Sequence, residues 1–421
     1  MRVLYLAHQY PPEFIGGVEV YTQGVAQSLA QHGWKVAVFH RSYAPKSLCE
    51  VNQQGNLTIY RLASGSPSPS GRFLATWRLS AGLNFWRRAI DEFQPDIVHV
   101  QHLLGLPTSL AEYLYRVGIP YLVTLWDYWW ICANANLLTN YAHSACSGPK
   151  AFLNCTHCAV TRLGKRSAWL LTPLLVSLLA DRNRRLRQLL NQASALLAPS
   201  EFVRHWYKQR GFPEHLLLTV KPGLLLPAKP DSAHRSSGDH LRVLYVGGIA
   251  VNKGVHILID ALRQVEGNIR LYIAGNLLTH SQYASKLRQM ADQRVTFIGE
   301  LSRHDVWYAM TNADVVAVPS LWDETFCFVA HEALAVGTPV LASAMGALPE
   351  AVQDGVNGFL LPSGKVEAWR SKLRELVDHP EILCSLKPKR VAPTLEEHVD
   401  QLELIYHRSY AVGRVFLSVP S

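Results

Sequence analysis

The chain has 421 residues, 48% of them hydrophobic and only 17% charged. It therefore holds enough apolar material for about two cores and lacks the composition of a disordered protein. Its net charge of +9 calls for an anionic partner, but no zinc-finger spacing, aromatic ribonucleoprotein pattern or basic zipper accompanies it, which sets nucleic acid aside.

The opening run Met1 to Ala7 has the look of a signal peptide, yet it stops at His8, Gln9 and Pro11 and no small-residue cleavage site follows. It reads as a buried first strand. Further strands are predicted at Lys35–Arg41, Leu57–Leu62, Ile97–Val100, Tyr121–Leu125 and Ala195–Ala198, with amphipathic helices at Val18–Gln31 and Leu83–Phe93. After a Pro-, Ser- and Ala-rich stretch at 227–240, which reads as a linker, the rhythm restarts: Arg2-Val3-Leu4-Tyr5-Leu6 is echoed by Arg242-Val243-Leu244-Tyr245-Val246. Strands follow at Ile269–Ala274, Val295–Ile298, Val315–Val318 and Pro339–Ala342, with helices at His256–Gln264, Tyr283–Gln293 and Ala330–Ala335. Such alternation predicts an α/β protein of two Rossmann-like domains, 1–226 and 241–392, facing one another across a cleft. Ligands of such sheets sit at the carboxyl ends of the strands.

One segment carries most of the chemistry. Pro319 to Ala333 runs from a strand through a tight loop into a helix, with Glu324 in the loop and Glu332 on the helix. Backbone N–H groups at a helix N-terminus suit a diphosphate, and a carboxylate in the early turns suits paired ribose hydroxyls. On spacing alone, two glutamates beside a surface helix fit equally well.

The context is more specific. Ala335-Val336-Gly337-Thr338-Pro339-Val340 follows, then Gly346, Pro349-Glu350, Asp354-Gly355 and Asn357-Gly358-Phe359. With Glu324-Thr325-Phe326-Cys327-Phe328 and Glu332-Ala333, these resemble the family-4 glycosyltransferases, whose pattern is E-x-F-G, E-A, G-x-P-V, a glycine turn with P-E, and D-G-x-x-G. A weaker likeness extends to Tyr10-Pro11-Pro12, Gly16-Gly17-Val18-Glu19 and Gly33-Trp34-Lys35-Val36. The resemblance implies a GT-B fold, an acceptor-binding first domain, a nucleotide-sugar-binding second domain, and a C-terminal helix within 393–421 that packs back on the first. It also implies transfer of a sugar from a UDP- or GDP-sugar, with retention, to a glycan or lipid-linked hydroxyl acceptor, and no catalytic metal. In those terms Glu332 holds the ribose and Glu324 sits by the donor sugar. Lys253 neutralises the leaving diphosphate, as a fixed cation stabilises the charge developing there. Gly16, Gly17, Gly248, Thr325, Phe326, Cys327 and Phe328 line the donor, and Asp127 is catalytic.

Three positions depart from the family pattern. Gly248 stands where an arginine usually helps to hold the diphosphate, with Arg303 as a replacement cation. Trp126 takes a histidine's slot in Trp126-Asp127-Tyr128-Trp129, with His99 and His102 near the same place. Cys327 replaces a glycine. These losses leave open a GT-B nucleotide-sugar-binding protein with little activity. A nucleotide-sugar epimerase or dehydrogenase is disfavoured, because the first strand leads into Tyr10-Pro11-Pro12 and not a G-x-G-x-x-G turn.

Two features lie outside the family core. Cys132, Cys146, Cys155 and Cys158 fall in an insertion at 127–165 that has no evident secondary structure, and four thiolates could surround a structural zinc. Trp169 to Leu179, followed by Arg182, Arg184, Arg185 and Arg187, reads either as a core helix with a basic end or as an interfacial helix on an anionic membrane. The expected location is cytoplasmic, with attachment to the inner face of the membrane on the interfacial reading of that helix.

Overall fold

The computed structural model describes residues 1–42, 49–63, 68–77, 82–164, 166–227 and 240–417. The expected linker lies almost wholly outside them. Two compact units form: Met1–Leu225 with Thr394–Ser421, and Leu226–Pro393.

The first unit is built on eight strands: β1 (Arg2–Ala7), β2 (Lys35–Ser42), β3 (Glu50–Gln54), β4 (Leu57–Ala63), β5 (Ile97–Val100), β6 (Tyr121–Thr124), β7 (Ala195–Ala198) and β8 (Leu217–Thr219). Their order is β3-β4-β2-β1-β5-β6-β7-β8. All pair in parallel except β3, which runs antiparallel to β4. Strands β5, β6 and β7 are buried at every position, because helices cover both faces and no polar face needs to alternate. The edge strand β3, Glu-Val-Asn-Gln-Gln, is exposed throughout. Its polar surface suits an edge.

The C-terminal helix Leu395–Leu417 belongs to this unit. Val399, Leu402 and Tyr406 are fully buried. The Tyr406 hydroxyl lies 2.7 Å from both the Tyr5 hydroxyl and His99 Nδ1, and His398 Nε2 lies 2.6 Å from the Tyr21 hydroxyl. Apolar burial and a satisfied polar network together fix the helix on the unit.

The second unit carries six parallel strands: β9 (Leu241–Val246), β10 (Ile269–Ala274), β11 (Val295–Gly299), β12 (Val315–Val318), β13 (Val340–Ser343) and β14 (Gly358–Leu361). Their order is β11-β10-β9-β12-β13-β14. Successive residues of β9 serve opposite cores: Val243 packs with Leu258, Leu271 and Trp369, whereas Leu244 packs with Val316, Ala330 and Leu334. In each sheet the first strand has neighbours reached in opposite directions, β2 and β5 around β1, and β10 and β12 around β9. Those are the switch points, where loops diverge and leave room for a ligand.

The insertion differs from expectation. It contains the helix Leu153–Leu163, and the longer helix Thr172–Asn191 follows it. The arginine group does not form one basic face. Arg182 is 1% exposed and donates to the Trp129 carbonyl (2.7 Å), Arg184 and Arg185 pair with Asp181, and Arg187 lies over the Phe212 ring. Among the described residues no helix is long and apolar enough to cross a membrane.

Candidate functional site

In the second unit, the loops that leave β9, β12 and β13 are stitched together. The Leu321 N–H donates to the Asn252 carbonyl (2.8 Å), and the Ala347 N–H to the Glu324 carbonyl (2.7 Å). Two glycines allow this closeness. Gly254 has φ +72°, and a Cβ there would collide with the Pro319 carbonyl; Gly346 has φ +57°, and a Cβ there would strike the Glu324 backbone.

Within this frame Glu324 is nearly fully buried and its Oε1 accepts from Lys253 Nζ (2.7 Å), Ser320 Oγ (2.6 Å) and Trp322 Nε1 (2.8 Å). Three donors on one oxygen satisfy a carboxylate that burial would otherwise make costly. Burial opposes the Lys253 charge, but the Glu324 carboxylate outweighs it and holds the ammonium above its ordinary value. The ammonium is about a third exposed, and two of its three donors do not point at Glu324 Oε1.

The helix Phe328–Ala335 opens at Cys327 with no side-chain cap. Its N-terminus offers backbone N–H groups and the positive end of a dipole. Glu332 is buried on this helix, and its Oε1 accepts from Arg303 (2.6 Å) on the helix Arg303–Asn312. Burial raises the Glu332 carboxyl above its ordinary value against the pull of Arg303. Phe326 is buried and stacks on the His331 ring at 3.9 Å. Thr325 is buried beside it. Sequence reasoning missed Ser320 and Trp322, although both lie within four residues of the glutamate they hold. It also missed that Arg303 is directed to Glu332, a contact spanning 29 positions.

In the first unit a second polar cluster gathers where β1, β5 and β6 end. His102 Nε2 lies 3.2 Å from both Asp127 carboxylate oxygens, and His102 Nδ1 accepts from the Leu104 N–H (3.0 Å). That bond fixes the tautomer, so Nε2–H donates to Asp127. The Trp129 N–H also donates to Asp127 (2.8 Å). His8 packs on His102 with ring centroids 4.6 Å apart, and its Nε2 lies 3.9 Å from Glu19. Burial, reinforced by His102, Arg41 and Arg72, holds His8 well below the usual histidine range, whereas burial raises Glu19. Gly16 is extended and Gly17 begins the helix Gly17–Gln31. The Glu19 carboxylate fills the space over Gly16, where a Cβ would collide with it.

Residues 15–224 match the family described as Glycosyltransferase Family 4, and residues 230–390 match Glycosyl transferases group 1. The chain belongs to these glycosyltransferases. It is similar to D-inositol 3-phosphate glycosyltransferase of Mycolicibacterium smegmatis, 36% identical over 205 residues, which are 45% of this chain and 47% of that protein. It is also similar to the glycogen synthase of Mycobacterium tuberculosis, 25% identical over 399 residues, or 90% and 87% of the two chains. The alignments to the inositol-phosphate enzymes of M. smegmatis and Mycobacterium marinum span under half of those proteins, 47% and 30%. Among solved structures, Anabaena HepE in complex with UDP and glucose has a TM-score of 0.70 at 18% identity, covering 97% of this chain and all of that one. Sucrose-phosphate synthase from Thermosynechococcus elongatus has a TM-score of 0.74 at 19% identity, covering 98% and 99%. These likenesses show the GT-B fold.

The departures from the family-4 pattern now have physical descriptions. Gly248 leaves open space, with nothing within 4 Å of a Cβ. Trp126 is a buried packing residue that donates to Gln101 Oε1 (2.7 Å) and meets Tyr21 edge-on. His99 does not line a site. It is fully buried between the Tyr406 and Thr124 hydroxyls.

Cys327 adopts φ +67°, ψ 79°, a left-handed conformation that a glycine takes freely and a cysteine only at a cost. Burial, with Glu324 nearby, pushes its thiol up to about 12. Relieving left-handed strain is worth ~1–2 kcal/mol, and the added unfolded-state freedom of glycine returns ~0.5–1. Losing the thiol, which packs on the core, costs about as much as is left over, so Cys327→Gly should stay within about 1 kcal/mol of the parent in urea unfolding despite a large-to-small change beside the core.

The residues expected to hold a zinc, Cys132, Cys146, Cys155 and Cys158, lie together in the first unit. Among the described residues no group of three or more His, Cys, Asp or Glu is placed to hold a metal ion. The four cysteines are free thiols on the wall of one cavity, and Cys132, Cys146 and Cys158 add to burial in pushing the Cys155 thiol up to about 12.

Proposed function

We propose that this chain is an enzyme that transfers a glycosyl group from a nucleoside-diphosphate sugar to a hydroxyl acceptor, with retention at the anomeric carbon. The observation that carries this reading is the convergence of Lys253 and Glu324 beside the uncapped helix Phe328–Ala335, at the switch point of the second sheet. Lys253 and the helix N-terminus would hold the diphosphate, whose charge grows as the glycosidic bond breaks, so both stabilise the transition state more than the ground state. Glu332 would accept the ribose hydroxyls in place of part of its bond to Arg303. Glu324, with Oε1 occupied by three donors, would turn Oε2 to the sugar. The departing phosphate oxygen is the proton acceptor for the incoming hydroxyl. In the first unit, Asp127 and His102 would position the acceptor.

The test is calorimetric titration with UDP- and GDP-sugars, beginning with UDP-glucose, followed by hydrolysis read by NMR of the released sugar. Binding of a nucleotide sugar with release of the retained anomer is expected. Absence of binding at millimolar donor would refute the reading. Binding without hydrolysis or transfer would leave a nucleotide-sugar-binding protein. Removing the carboxylate by Glu332→Ala should weaken the free nucleotide about tenfold or more, the value of a hydrogen bond to a charged group, with little loss of turnover at saturation. An unchanged nucleotide Kd would remove Glu332 from the site.

A further inference from the structure

We propose that the first unit holds an anionic lipid, with one chain in the cavity behind the cysteine insertion and the head group at Arg72 and Arg162. The cavity measures about 530 Å³ and lies among the segment around Phe73, the insertion, and the helices Leu153–Leu163 and Thr172–Asn191. Protein interiors rarely leave voids larger than a water molecule. A space of this size falls in the ~300–1,000 Å³ range of small-molecule pockets. Its walls are mainly apolar, including Phe73, Leu138, Leu175 and Leu178.

The charges at this cavity point to an anion. Three arginines and no carboxylate stand among the described lining residues. Arg182 is occupied by the Trp129 carbonyl. Arg72 and Arg162 have no ion pair or side-chain hydrogen bond among the described residues. Partial burial and the neighbouring Arg72 charge lower the Arg162 guanidinium from its ordinary value. Two like charges at an apolar mouth repel one another unless an anion lies between them.

The mouth is also apolar on its outside. Leu74 and Leu163 line the cavity and are exposed, the neighbouring turn presents Leu170 at 85% exposure, and the start of the helix Thr172–Asn191 presents Leu174 at 56%. Such a patch suits contact with a lipid surface. The far wall adjoins the polar cluster of this unit, because Trp129 packs on His102 at 5.1 Å and the Leu104 N–H bonds to His102. On the transferase reading, on which this clause alone rests, the bound lipid is the acceptor.

Calorimetry with octyl, decyl and dodecyl phosphate below their micelle concentrations tests the site without donor or turnover, so it succeeds or fails apart from the transferase reading. Affinity should rise about fourfold per added methylene, the equivalent of ~0.8 kcal/mol, and inorganic phosphate should not bind at the same concentrations. Arg162→Ala should weaken dodecyl phosphate about tenfold and leave dodecanol unchanged. Ala159→Phe, which fills the cavity, should remove the dependence on chain length. Vesicles containing phosphatidylglycerol should bind the chain, and neutral vesicles should not. Affinity indifferent to chain length would overturn the proposal. So would inorganic phosphate binding as tightly as dodecyl phosphate, or one tightly held zinc per chain on the four cysteines.

Discussion

Glu324→Ala is expected to lower turnover about 100- to 1,000-fold while leaving the free-nucleotide Kd within about threefold, the scale seen when one preorganised electrostatic group is removed. The distinction rests on position. Glu324 sits in the loop before the helix and is held at Oε1 by Lys253, Ser320 and Trp322, whereas Glu332 lies on the helix itself with Arg303. Turnover unchanged at saturating donor would sink the assignment of Glu324 to the reacting centre.

The same ion pair predicts an asymmetry in stability. The Lys253 side chain is 30% exposed and Glu324 only 4%. Replacing the glutamate by glutamine keeps an acceptor for Ser320 and Trp322 and leaves an ammonium that water can reach, at a cost of about 1 kcal/mol. Removing the lysine strands a buried carboxylate, for which losses of ~3–5 kcal/mol are typical. Lys253→Ala should therefore unfold at lower urea than Glu324→Gln, and the double variant Lys253→Met with Glu324→Gln should recover much of the difference. Equal destabilisation by the two single variants would mean that the pair is not buried as described.

How far the sequence went can be traced through particular residues. The strands β1, β5, β6, β7, β9, β10 and β12 were legible because a buried parallel strand is a short apolar run bounded by polar residues. Strand β3 was not, since Glu50–Gln54 has no apolar pattern and is defined only by pairing with β4. The helix Leu153–Leu163 escaped because its Cys155-Thr156-His157-Cys158 spacing drew attention to metal chemistry. That spacing is equally one turn of helix, which places both thiols on one face. In the candidate site, Lys253, Glu324 and Glu332 stood out because their neighbours in sequence form a pattern. Their partners across the fold did not. Arg303 to Glu332 and His102 to Asp127 are contacts over 29 and 25 positions, set by which loops the sheet order brings together.

The buried histidines make the largest prediction for the fold itself. Burial, aided by His398, pushes His99 down to about 3, and burial pushes His398 to about 4. His8 and His40 are lowered as well, again chiefly by burial. In the unfolded chain these rings titrate near 6.5. Between pH 7 and 5 the unfolded state therefore binds protons that the native state does not, and stability must fall as pH falls. For a ring whose native value lies below 5, the loss over that interval is about 2 kcal/mol. His99 and His398 together should remove about 4 kcal/mol, and the raised carboxyls of Glu19 and Glu332 oppose this only in part. Urea unfolding at pH 7 and pH 5 measures the difference directly. His398→Gln keeps a hydrogen-bonding group for the Tyr21 hydroxyl and removes one titrating ring, so its own loss between the two pH values should be smaller by about 2 kcal/mol. If the variant and the parent lost stability equally, His398 would be titrating in the folded protein, and the C-terminal helix would not seal it from water.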